Sequence, residues 1–154
     1  MNYIKKICEK YKITNYTIND DGSIDVNGDV DLCNKGLTEL PLTFNRIDGN
    51  FDCNFNLLTS LKGCPRWIGG WFDCNNNRLT SLEFSPHYVG GVFCCDNNQL
   101  TDNYCETEIG GDFYTSLEQD GLIINQYYEA INYNEWRKLH KRKLTLNELY
   151  TRYM

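Results

Sequence analysis

Apolar and polar positions along this chain follow a motif that returns every 21 residues. Ile47, Ile68 and Val89 open three copies. In register come Phe51, Phe72 and Phe93, then Cys53, Cys74 and Cys95, then Asn56, Asn77 and Asn98, then Leu58, Leu79 and Leu100. In the copy that begins at Ile68, Phe72 and Cys74 alternate with Trp71, Asp73 and Asn75. That period of two predicts a short strand with one buried face. Asn77 follows, and then Leu79 and Leu82 return to the interior. Self-similarity at this period predicts a solenoid of stacked units, not a globule around one core.

Other positions of the unit have physical jobs of their own. As the chain leaves the strand, backbone groups fall inside the stack without a ladder partner. One buried Asn per coil, carrying donors and an acceptor, can satisfy them. Gly pairs at 69–70, 90–91 and 110–111 sit just before each strand, where positive φ or close coil-to-coil approach requires them. Pro65 and Pro86 fall on the return, which is expected to be extended or a short 3₁₀ turn. The strands then stack into one parallel sheet.

The repeat fades at both ends. An earlier unit starts at Val26 with Lys35 in place of the ladder Asn. A last one starts at Ile109 and breaks where Glu118 and Asp120 replace Asn and Leu. About four coils and a final strand are expected. Solenoid ends expose core and need caps. Ile4, Ile7, Cys8 and Tyr11 have helical spacing, and 16–18 with 24–26 flank Asp20-Asp21-Gly22 as a hairpin. Asn125 to Leu139 reads as one or two helices, and a capping box at Thr145 to Glu148 opens another. The expected organisation is a cap over 1–25, repeats over 26–116 and a helical cap over 117–154.

Composition adds three constraints. The chain of 154 residues has a formal net charge of −6, which argues against wholesale nucleic-acid binding and attachment to anionic membranes. From Asn134 onward six basic residues (Arg137, Lys138, Lys141, Arg142, Lys143, Arg152) face Glu135 and Glu148. That segment reads as a charged cap face, with nucleic-acid contact as the alternative. No apolar run suits a bilayer and the start has no secretory pattern, so a cytoplasmic protein is expected. Of the eight cysteines, three belong to the repeat as small buried hydrophobes. Reduced thiols are expected throughout, with a disulfide involving Cys64, Cys94 or Cys105 as the alternative.

The form Phe-x-Cys-x-x-Asn-x-Leu resembles the leucine-rich-repeat core. Residues 26–116 resemble bacterial and phage leucine-rich repeats. Asn-x-Leu-Thr-Ser-Leu at Asn56 and Asn77 is similar to the short repeats of secreted bacterial ubiquitin-ligase effectors. The longer Leu-Thr-Ser-Leu-x-x-x-Pro-x-x-Ile/Val-Gly-Gly-x-Phe form is closer to that of large tailed phages. The resemblance implies a β-rich α/β solenoid: a right-handed leucine-rich-repeat coil with a parallel sheet on its concave face and helical caps at both ends. The effectors' ligase activity is not implied, because the residues after Ser116 offer no room for that domain.

Residues alternating with the core should line the sheet face in three columns. These are Asp29, Asn50, Trp71, Val92 and Asp112, then Asp31, Asp52, Asp73, Cys94 and Tyr114, then Cys33, Asn54, Asn75, Asp96 and Ser116. The face is rich in Asp and contains no Lys or Arg. Rows of like charge at strand spacing repel, so the columns predict an acidic docking face for a protein with a basic surface, anchored by Trp71 and Tyr114. The expected partner-binding residues are Asp29, Asp31, Asn50, Asp52, Asn54, Trp71, Asp73, Asn75, Cys94, Asp96, Asp112 and Tyr114. No catalytic group, cofactor or metal site is expected. The expected function is a protein-interaction module. If the chain is phage-encoded, as the resemblance implies, it is expected to bind and inhibit or modulate a host (defence) protein in the host cytoplasm through its acidic concave face. The alternatives are a nucleic-acid-associated factor and a structural assembly component.

Overall fold

A computed structural model describes residues 2–102, 104–119 and 122–128, together with Asn134 and Lys138. The chain opens with helix α1 (Tyr3–Lys10), whose N-cap Asn2 accepts from the Ile4 N–H at 3.0 Å. Its Cys8 is buried, and Ile4, Ile7 and Tyr11 pack against the core. The expected N-terminal helix and hairpin are therefore present. Strands β1 (Tyr16–Ile18) and β2 (Ile24–Val26) pair antiparallel. Asp21 closes their turn by accepting from the Ser23 N–H and hydroxyl.

From β2 onward the chain winds as a β-solenoid of about four turns. Each turn contributes two short strands. One set is β2, β4 (Phe44–Ile47), β6 (Trp67–Ile68), β8 (Tyr88–Val89) and β10 (Glu108–Ile109). The other is β3 (Val30–Asp31), β5 (Phe51–Asp52), β7 (Phe72–Asp73), β9 (Phe93–Cys95) and β11 (Phe113–Gln119). Neighbouring coils pair in parallel, with residues 21 apart opposite one another, as in Phe51 to Phe72, and 20 apart at the last coil, as in Phe93 to Phe113. There are thus two parallel sheets where one was expected. Ile47, Ile68, Val89 and Ile109 themselves end strands β4, β6, β8 and β10, the sheet that was not expected.

The Gly pairs form the corner between the two sheets. A Cβ on Gly90 would stand 2.2 Å from the Gly69 carbonyl oxygen, and one on Gly110 2.3 Å from that of Gly90. Glycine is needed there for backbone contact between coils, which resolves the two readings of these pairs. The interior is a continuous column. Phe51, Phe72, Phe93 and Phe113 are fully buried, with successive ring centroids 6.0, 4.9 and 5.1 Å apart, and Phe44 meets Phe51 edge-on at 5.1 Å.

Beyond the last coil the structure departs from the helical expectation. β11 turns back into β12 (Leu122–Tyr128), pairing antiparallel from Phe113–Tyr128 to Gln119–Leu122. Asn125 to Tyr128, expected to begin a helix, therefore lie in a strand. An antiparallel strand satisfies the open ladder of β11 directly, which a helix could not do. Asn134 closes the other sheet. Its amide donates to the Ile109 carbonyl at 2.9 Å and accepts from the Ile109 N–H at 3.3 Å. The remainder of the expected C-terminal helices lies outside the described residues. Among the described residues, no helix is long and apolar enough to cross a membrane.

Candidate interaction face

The middle column forms by strand register. Asp31 lies opposite Asp52, Asp52 opposite Asp73, Asp73 opposite Cys94 and Cys94 opposite Tyr114. Asp29, Asp31, Trp71 and Tyr114 are exposed; Asn50, Asp52, Asn54, Asp73, Asn75, Cys94, Asp96 and Asp112 are half-buried. Ser116 departs from its column. It is buried, and its hydroxyl accepts from the Asn97 N–H at 2.7 Å.

The acidic columns also do structural work that spacing did not reveal. A parallel ladder stops at the end of each short strand and orphans an N–H and a carbonyl. Asp31, Asp52 and Asp73 each accept from the N–H two residues on, at Cys33, Asn54 and Asn75, all at 2.9 Å. The ladder Asn completes the corner. The Asn77 amide donates to Cys53, Cys74 and Asn75 carbonyls, and its oxygen accepts from the Leu58 N–H. Asn56 and Asn98 repeat the pattern. Where Cys94 replaces the Asp, the side chain of Asn75 accepts from the Asp96 N–H instead. In the first column Asp29 accepts from the Asn50 N–H, and Asn50 from that of Trp71.

These contacts leave the face crowded with charge. Burial pushes the Asp52 carboxyl above its ordinary range; the Asn54 N–H partly offsets this, while Asp73 and Asp31 push it higher. Burial and Asp73 raise Asp96 likewise. Cys94, considered as a reactive thiol, is pushed up to about 12 by burial and then by Asp73 and Asp96. It stays protonated at neutral pH and is a poor nucleophile. All eight cysteines are free thiols. Asp31, Cys33 and Asp52 bring their ligand atoms within 4.8 Å of one another. Strand register and the two N–H bonds account for that approach. Burial and the two carboxylates hold the Cys33 thiol up as well.

A second outward column was missed. Arg46, Trp67 and Tyr88 also stand 21 apart, on the β4–β6–β8 sheet. The Arg46 guanidinium lies 3.8 Å from the Trp67 ring centroid and bonds Asp48 at 2.7 Å. Trp67 and Tyr88 stack at 5.6 Å. The spacing was visible, but each residue is alone in its short strand, so no alternation drew attention to it. His87 is exposed on the return, and of the basic segment 137–143 only Lys138, exposed, is described. In comparisons with known proteins, no family model, no curated protein and no solved structure matches this chain.

Proposed function

We propose that this chain is a protein-interaction module that docks a basic protein surface on the face formed by β3, β5, β7, β9 and β11. One observation carries the reading. An Asn at Asp31, Asp52 or Asp73 would accept the same N–H without charge, yet three successive coils use Asp, at the cost of mutual repulsion. The surplus is negative charge, displayed beside exposed Trp71 and Tyr114. Opposed charge steers encounter and selects partners, and aromatic side chains supply anchoring area. The finer reading, a leucine-rich-repeat protein of phage origin acting on a host protein in the cytoplasm, rests on the sequence resemblance.

The test is affinity capture from bacterial lysate with the wild type and an Asp52→Asn/Asp73→Asn variant. Both variant residues keep the backbone N–H bonds, and only the Asn54 amide's bond to Asp73 is lost, so the fold should persist by circular dichroism. A partner held by the wild type and lost by the variant is the expected result. Equal retention by both would overturn the reading.

A further inference from the structure

The second coil, which contains β5, carries an exposed apolar pair at the corner where the chain leaves that strand. Phe55 is 58% exposed and Leu57 is 39% exposed. Between them Asn56 is buried as the ladder Asn. The backbone of the pair is held from both sides. The Phe55 N–H donates to the Asn75 carbonyl of the next coil at 3.0 Å, and the Leu57 N–H to the Leu37 carbonyl of the coil before at 2.8 Å. Both side chains therefore stand on hydrogen-bonded backbone and not on a free loop.

The other coils show what these places need. Asn34, Asn76 and Asn97 occupy the place of Phe55, and Gly36, Arg78 and Gln99 that of Leu57. None of these has an apolar side chain. The first place is left-handed in every one of these coils, with a φ of 50° at Phe55. Asn suits that backbone; Phe is strained in it and gains no burial in return. Single exposed apolar residues are ordinary. A pair that displaces the repeat's own polar residues, one of them against its backbone preference, marks a contact point.

The corner is continuous with the acidic face. Asp52 precedes Phe55 in the same coil, and Asp73 lies opposite Asp52 in the next. Asn54, adjoining Phe55, donates to Asp73 at 3.0 Å. Beyond Leu57 the sign reverses: exposed Arg78 takes its place in the third coil, with its N–H on the Leu58 carbonyl at 2.8 Å. We infer that Phe55 and Leu57 anchor a segment of a protein partner whose apolar side chain rests on the pair and whose lysine or arginine residues reach Asp52 and Asp73. Acid on one side of the anchor and a cation on the other fix the direction in which that segment lies. A second copy of this chain using the same corner would set Asp52 and Asp73 against their counterparts, which like charge disfavours. The inference rests on the reading of the sheet face as an acidic docking surface, and adds to it what the basic partner must carry.

A displayed library of random short peptides is selected against the full chain and against variants that borrow residues from other coils, Phe55→Asn and Leu57→Gln, together with Asp52→Asn/Asp73→Asn. The wild type should enrich peptides in which an apolar residue stands beside Lys or Arg. By fluorescence anisotropy, Phe55→Asn should bind the most enriched peptide about fivefold more weakly while its Tm holds or rises; a residue that only supports the fold would lower Tm with binding. Leu57→Gln should weaken binding in the same direction. Asp52→Asn/Asp73→Asn should enrich apolar peptides that have lost their basic residues. Basic peptides without an apolar residue would overturn the anchor and leave the acidic docking face standing. Apolar peptides without basic residues from the wild type would overturn the acidic face, and the inference with it. No enrichment by the wild type, or equal binding by Phe55→Asn, would overturn the inference.

Discussion

Asn34, Phe55, Asn76 and Asn97 share one place in the repeat and one left-handed backbone, with φ of 50–54°. Asn tolerates that region because its short polar side chain bonds locally, whereas Phe has no such compensation. Phe55 is also 58% exposed, so burial does not offset the strain. Phe55→Asn should stabilise the protein by about 1 kcal/mol, read as a higher midpoint in urea at unchanged slope. A lower midpoint would show that Phe55 supports the fold through contacts its exposure hides. This residue was half legible: the Asn at the other three positions marks the conformation, but only the backbone angles reveal that Phe55 adopts it too.

At the scale of the strand and its corner, the ladder Asn holds two coils together. Asn77 serves carbonyls of its own coil and of the one before it. Asn77→Ala would leave the buried Leu58 N–H without a partner, at about 1–3 kcal/mol, and would strip one of two donors from the Cys53, Cys74 and Asn75 carbonyls, so it should lower the urea midpoint. Lys35, in the first coil, has no earlier coil to serve, since β3 ends its sheet. Lys35→Asn should therefore leave the midpoint nearly unchanged; a large gain would contradict this account. Repeated Phe, Cys, Asn and Leu made the core and one sheet readable. The other sheet hid because most of its strands have two residues and a single inward side chain. β12 hid because its uncharged run alternates too weakly to separate strand from helix. The Asp columns were legible as a surface, but their N–H bonds depend on where each ladder ends.

For the whole molecule, crowded carboxylates make stability depend on acidity. Asp52 and Asp96 have folded pKa values raised above the ordinary 3.8. The folded state therefore binds their protons first, and stability rises as pH falls through those raised values toward 3.8. Asp21 works oppositely. The Ser23 hydroxyl and N–H hold its folded value below 3.8, so its contribution is present above 3.8 and lost as pH falls through that lower value. Tm measured between neutrality and pH 3 should peak at about pH 4, and Asp52→Asn should flatten the rise. A monotonic fall on acidification would show that burial and repulsion on this face do not govern the acid response.

The backward reach of the ladder Asn gives the solenoid a direction in time. A ribosome releases the coils from the N-terminus, and each emerges with a buried Leu N–H, that of Leu58 or Leu79, still waiting for the amide oxygen of the next coil's ladder Asn. A newly made coil is thus completed only by its successor. The nascent chain gains its stability one repeat behind the point of synthesis.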